Sequence, residues 1–276
     1  MFTTIDRRVK LLWIIFLLIV IIATISSLTG FSNLEIIKLA LPVLLLLLHA
    51  SWTLGLKRSV IFFFSATFIG LFSEIIGIKY GVVFGGHYIY QPIPLMIFGV
   101  PLVVPLYWTV FIYTGYTLVS SFLAWINQDK PNIHNHHAIL IPLLIFLDGL
   151  TVTAIDVFMD PIQVRLGGWT WLDQGPYFGV PIGNFIGWFI ITSSTTTIIR
   201  VWEYFVPQTT QLPKTTLLIP VLGYLLLWFS FLTTAVKLHM IDLILIGTFA
   251  MLPIVVINLI FFVNSRKVSL DTYCRN

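Results

Sequence analysis

Carboxylates are the groups of this chain best suited to chemistry, because several stand where a carboxylate is expensive. Glu74, Asp148 and Asp156 fall inside long apolar runs, and Asp160 follows Asp156 by four residues. An ionised side chain facing lipid costs roughly 2.5–3.5 kcal/mol or more, so these acids must face one another, a cavity or a partner. Asp156 and Asp160 share one helical face if the helix runs that far, although Pro161 draws Asp160 toward extended backbone. Two acids side by side away from water resist losing both protons. A carboxylic acid that keeps its proton at neutral pH is a general acid. Asp173, just before Gln174 and Gly175, completes the candidate catalytic set of Asp156, Glu74, Asp160 and Asp173. Each has a plainer reading beside the chemical one: Asp148, next to Gly149, suits a hydrogen bond to a neighbouring helix, and Asp160 and Asp173 suit turns.

The acids recur in a pattern. EIIGIKYGVVFGGHYIY, from Glu74, aligns without a gap with DVFMDPIQVRLGGWTWL, from Asp156, so that Glu74 matches Asp156, Gly85 and Gly86 match Gly167 and Gly168, and His87 matches Trp169. A shift of two residues then aligns FGVP at Phe98 to Pro101 with FGVP at Phe178 to Pro181, and Trp108 with Trp188. Each copy reads as a helix bearing a carboxylate, a Gly-Gly turn, an aromatic cluster and a helix entered through Gly-Val-Pro. Irregular backbone at membrane depth is tolerated only when buried in protein or lining a cavity, so two such loops side by side predict a shared, roofed pocket. Its candidate binding residues are Trp169, Trp171, Trp188, Tyr177, Asn184, His87, Tyr90, Trp108 and Asp148. Rings hold cations over their faces, more strongly when water is excluded; a belt of Trp and Tyr at the headgroups is the competing reading. Asn184 suits either an N-cap or the holding of a water. Gly179, Gly183 and Gly187 recur every four residues, a small-residue face for close helix packing.

These residues need elements to position them, and composition says which. Of 276 residues, 58% are hydrophobic and 9% charged, more apolar surface than one soluble core can bury. The predicted fold is all-α: a polytopic membrane bundle of about eight helices, each near the ~20 residues a span requires. The segments are 11–30, 39–56, 59–77, 95–126, 138–158, 183–202, 215–235 and 241–263. The fourth carries Pro101 and Pro105, so its first turns are expected to be bent, re-entrant or outside the hydrocarbon. Residues 1–276 read as a single integral membrane domain containing a parallel repeat, 60–126 and 138–202, related by an axis along the membrane normal. Arg7, Arg8 and Lys10 precede Leu11 to Phe31, a run too long for a signal peptide, so this segment reads as a retained helix. With eight spans and the N-terminus inside, eleven of the fifteen basic residues fall on the cytoplasmic side, the positive-inside pattern. That orientation puts both termini in the cytoplasm. The net charge of +4 is then a topology signal, with no basic patch of nucleic-acid character. The lone Cys274 leaves no disulfide within the chain and no cysteine-based metal site, and the cluster His134, His136 and His137 reads as a solvated loop.

AIDVFMDPIQVRLGGWTWLDQGPYFGVPIGNFIGWF, with its echo from Glu74 to Trp108, resembles the carotenoid biosynthesis membrane family that includes bisanhydrobacterioruberin hydratase of haloarchaea and the bacterial carotenoid 1',2'-hydratases. The likeness spans roughly residues 60–200 and rests on Asp-Pro, Gly-Gly-Trp-x-Trp and Phe-Gly-Val-Pro-x-x-Asn in fixed order. It implies a cell-membrane enzyme that adds water to a terminal carbon–carbon double bond of an acyclic carotenoid, without cofactor or metal. Its partners would be that carotenoid, membrane lipid and other carotenoid biosynthesis enzymes. Such a reaction needs an acid, a dry pocket that stabilises positive charge and one placed water. On this chain Asp156 or Glu74 would donate the proton, Asp160 and Asp173 would tune it or orient the water, and Trp169, Trp171 and Trp188 would flank the cation. A cyclase would use the same protonation; a transporter would carry polar residues through both leaflets; a carotenoid-binding protein would need the groove without the acids.

Overall fold

The computed structural model describes residues 4–29, 35–93, 95–126, 137–206, 209–210, 213–264 and 270–271. Cys274, His134, His136 and the loop segment Asp129 to Pro131 lie outside the described residues, as does the side chain of His137. Eight helices are described: α1 (Thr4–Thr29), α2 (Glu35–Thr53), α3 (Leu56–Tyr80), α4 (Val103–Ile126), α5 (His137–Leu166), α6 (Ile182–Phe205), α7 (Lys214–Lys237) and α8 (Ile241–Asn264). Seven are long and apolar enough to cross a membrane. The exception, α2, has a shorter apolar stretch, Ala40–Thr53, yet its 19 residues reach about 28 Å at ~1.5 Å per residue. Outward faces are apolar, as lipid requires: Phe64, Phe68 and Phe72 stack along the exposed side of α3 with ring centroids 6.0 and 6.2 Å apart. The chain is a multi-pass helical membrane bundle.

Two pairs form its centre. α3 packs along α4 and α5 along α6, while α3 also meets α6 and α4 meets α5. Between them Trp108 and Trp188 lie ring to ring at 4.0 Å. Close approach at the α6 entry depends on glycine: a Cβ on Gly183 would stand 2.6 Å from the Gly85 Cα, and one on Gly187 would stand 2.6 Å from the Val83 carbonyl. Gly183 and Gly187 therefore do the packing expected of them, whereas Gly179 sits in the preceding turn at φ 87°.

The fourth helix starts later than its apolar run. Residues from 95 do not continue α4; β2 (Met96–Ile97) and β3 (Val100–Pro101) form a hairpin instead. Its two loop residues, Phe98 and Gly99, have φ of 50° and 82°, the paired left-handed geometry that matches strand twist. Phe178 and Gly179, aligned with them in sequence, have φ of 50° and 87°, flanked by the Tyr177–Val180 bridge. Gly85 and Gly167 likewise agree, at 75° and 76°. β1 (Tyr88–Tyr90) pairs antiparallel with β4 (Trp169–Trp171), Tyr88 opposite Trp171, Ile89 opposite Thr170 and Tyr90 opposite Trp169. Exchanging the two aligned segments maps that register onto itself.

The fifth helix ends later than predicted. It runs through Pro161 to Leu166, so Asp160 stays helical and shares the face of Asp156. Proline removes the N–H that would bond the carbonyl four residues back, here Val157. The Tyr177 hydroxyl donates to that carbonyl at 3.0 Å instead.

Candidate active site

The β1–β4 ribbon roofs the bundle and delivers rings by its two-residue period. Tyr88 and Trp171 point inward, Tyr90 and Trp169 are half-buried, and Ile89 and Thr170 face out. Tyr88 packs on Trp171 at 4.8 Å and Tyr90 on Trp169 at 5.6 Å. Beneath them Glu74 of α3 is buried and accepts three hydrogen bonds, from the Tyr88 hydroxyl at 2.5 Å, the Tyr90 hydroxyl at 2.8 Å and the Trp108 indole at 2.9 Å. Tyr88, a ring the candidate binding set leaves out, is thus part of the cluster; its sequence signal was the alternation Tyr88, Ile89, Tyr90.

Across from it, Asp156 and Asp160 are joined by one amide. Asn184 Nδ2 donates to Asp156 Oδ2 at 2.7 Å and to Asp160 Oδ2 at 3.0 Å. Asn184 is therefore not the N-cap of α6, a place Pro181 takes. Asp156 Oδ1 is buried without a hydrogen-bond partner among the described residues. The indole N–H groups of Trp169 and Trp171 are turned to Asp160, that of Trp171 outside good hydrogen-bond geometry.

Glu74, Asp160, Asn184, Tyr90, Trp108, Trp169, Trp171 and Trp188 line one cavity of about 410 Å³, with Phe84, Tyr107 and Phe111 among its apolar walls. Asp156 stands behind this wall, through Asn184. Among the described lining residues there is no lysine, arginine or histidine. The cavity is thus ringed by acids and aromatic faces, a setting for a ligand that is apolar and becomes positive.

The chain belongs to the carotenoid biosynthesis protein family, which matches residues 31–256. That match takes in α2 to α7, most of α8 and every acid described above, well beyond the segment 60–200. No curated protein and no solved structure matches the chain. Carotenoids are long, apolar, electron-rich polyenes, and an aromatic cavity suits molecules of that kind.

Other residues of the candidate set lie elsewhere in this carotenoid biosynthesis protein. Asp173 and His87 are on the exposed roof, their side chains 66% and 51% accessible. Asp173 accepts the His87 backbone N–H at 3.0 Å, which holds its carboxyl below the usual range. Neither borders the cavity, and their geometry is that of a fixed turn. Tyr177 is committed to the Val157 carbonyl. Asp148 is not in the site either: it lies two helical turns from Asp156, in a bidentate pair with Arg200, Nη2 to Oδ1 at 2.7 Å and Nε to Oδ2 at 2.9 Å. Arg200 also donates to Ser120 Oγ at 3.0 Å and stands 4.3 Å over the Tyr116 ring, and the Tyr116 hydroxyl donates to Glu203. Arg200, near the end of segment 183–202, is one of the eleven basic residues counted as cytoplasmic; α6 continues to Phe205 and buries it. Among the described residues the buried carboxyls consequently fall in two centres, one at the aromatic cavity and one around Arg200, not at a single end of the bundle.

Proposed function

We propose that this chain is a carotenoid hydratase of the cell membrane, with both termini in the cytoplasm, acting on a terminal double bond of an acyclic carotenoid. The observation that carries the reading is the pairing of Asp156 and Asp160 across Asn184, opposite Glu74, on an aromatic cavity whose described lining has no basic side chain. A trisubstituted alkene is hydrated by proton addition to its less substituted carbon, capture of the tertiary carbocation by water and loss of one proton from the resulting oxonium. One water is consumed and the acid is regenerated.

Asp160, at the wall, delivers the proton, and Asp156 and Asn184 hold it for delivery. Glu74 supplies negative charge to the cation; with three donors turned to its two oxygens, it is arranged as a carboxylate. Trp108, Trp188 and Trp169 offer ring faces, and such preorganised electrostatics is usually the largest catalytic contribution. The two aligned segments are read as a duplicated unit whose axis passes between Trp108 and Trp188. With Arg200 counted inside the bundle, ten basic residues remain on the cytoplasmic side against four outside.

The test is expression in a bacterium making lycopene, and in one making longer acyclic carotenoids, with mass spectrometry of the pigments. Products one or two waters heavier, absent for Asp156→Asn, are expected. An isomer of unchanged mass would mean cyclisation. Transport draws support from the second buried centre at Arg200, though the acid-lined cavity touches none of its residues; unchanged pigment with a folded protein would favour it.

A further inference from the structure

We propose that a second cavity, between α1, α2, α4 and α7, seats the polyene chain of the substrate whose end group reaches the acids, and that Gly223 keeps this seat open. The proposal rests on the hydratase reading for what happens at the first cavity. The second has a volume of about 220 Å³ and shares Tyr107, Phe111, Leu227 and Ser230 with the acid-lined one. The two cavities therefore adjoin, and the proposed substrate extends from one into the other. Beyond the shared residues its walls are apolar apart from Lys38 and Thr114, with Phe16 and Ile19 of α1, Leu41 and Leu45 of α2 and Ile219 of α7, so most of its surface offers contact to a hydrocarbon chain. From Ser230 to Ile219 it follows α7 for about 16 Å at ~1.5 Å per residue, roughly half of the ~30 Å hydrocarbon thickness. That length suits an extended chain.

Gly223 is unlike the packing glycines of this bundle. A Cβ on Gly70, Gly183 or Gly247 would fall 2.7, 2.6 or 2.2 Å from a neighbour, but one on Gly223 would meet nothing within 4 Å. Glycine weakens a helix relative to alanine, and no close approach explains it here. What its missing side chain leaves is empty volume in the cavity, one turn from Pro220, which also lines it.

The experiment compares Gly223→Phe and the milder Gly223→Leu with wild type, in the full chain, on two substrates: lycopene, and a short acyclic isoprenoid with the same trisubstituted end. The ratio of lycopene to short-substrate conversion is expected to fall about tenfold or more, the discrimination a filled apolar pocket gives. A ratio unchanged in both folded variants would overturn the proposal. Pigment copurifying with each protein is read in parallel by visible absorbance. If wild type converts neither substrate, the hydratase reading fails while the seat is still decided: less lycopene retained by Gly223→Phe supports it, equal retention overturns it. A phospholipid found by native mass spectrometry in wild type, displaced by Gly223→Phe with lycopene handling unaltered, would assign the cavity to an acyl chain and overturn the proposal.

Discussion

Among its described residues the bundle buries carboxylates in two places and treats them differently. Near the roof, Glu74, Asp156 and Asp160 are held by tyrosines, tryptophans and an asparagine, all neutral. Deeper, Asp148 and Glu203 are gathered around Arg200 and Tyr116. A carboxylate locked to a buried guanidinium is compensated and has nothing left to give. Carboxyls surrounded only by neutral donors keep their charge and protons available to a ligand. The first arrangement suits chemistry, the second suits architecture, and residue type alone does not distinguish them.

The largest expected effect tests the first half of that contrast. Asp160→Asn preserves shape and the Asn184 contact but removes the transferable proton, and hydration should fall about 10²–10⁴-fold, measured as product formed per folded protein. Full activity in this variant would sink the assignment of the acid. Next comes the architectural half. Arg200→Met leaves Asp148 buried and uncompensated, a loss of about 3–5 kcal/mol, visible as aggregation or a large drop in melting temperature. The double variant Arg200→Met with Asp148→Leu removes both members of the pair and should recover part of that stability, since the buried Glu203 still loses the Arg200 charge beside it, with hydration per folded molecule near wild type. A folded but inactive double variant would erase the distinction between the two centres.

Glu74→Gln sharpens the first half further. Glutamine replaces one acceptor oxygen with an N–H₂ group that faces donors, and it removes the negative charge opposite the developing cation. A loss of about 10²–10³-fold in turnover is expected, the scale seen on removing one preorganised electrostatic group. Glu74→Asp keeps the charge but shortens its reach, and should retain more activity than Glu74→Gln.

Much of this was legible in the chain itself. Eight apolar segments appear because a bilayer sets a minimum length, and the acids stand out because lipid penalises charge. The pairing of Glu74 with Asp156 followed from aligned segments, and the cavity brings Glu74 and Asp160 together. What was hidden depends on contacts between distant residues. Pro161 signals a helix end locally, and only the Tyr177 hydroxyl, sixteen residues on, offsets the lost bond and lets α5 carry Asp160 onto the face of Asp156. Asp148 was expected to suit a hydrogen bond to a neighbouring helix, but its partner, Arg200, lies fifty-two residues away and nothing local points to it. The hairpin at residues 96–101 was masked by its hydrophobicity, which resembles a helix start until the positive φ of Phe98 and Gly99 is known.

Asp173 offers the smallest effect and the clearest pH signature, because it lies outside the membrane helices. Its exposed carboxyl is lowered mainly by the His87 backbone N–H. A carboxyl whose folded value lies below its unfolded one, ordinarily about 3.9, contributes stability that is complete above the unfolded value and vanishes as the pH drops through the folded one. Asp173→Asn should therefore loosen the β1–β4 roof slightly and equally from about pH 5 to 8. The difference from wild type should disappear in strong acid, where Asp173 itself is protonated. Hydrogen exchange at the His87 amide reads this directly: faster in Asp173→Asn at neutral pH, with hydration nearly unchanged. A large loss of hydration in this variant, without loosening of the roof, would return Asp173 to the catalytic set and extend the chemical centre out to the exposed surface.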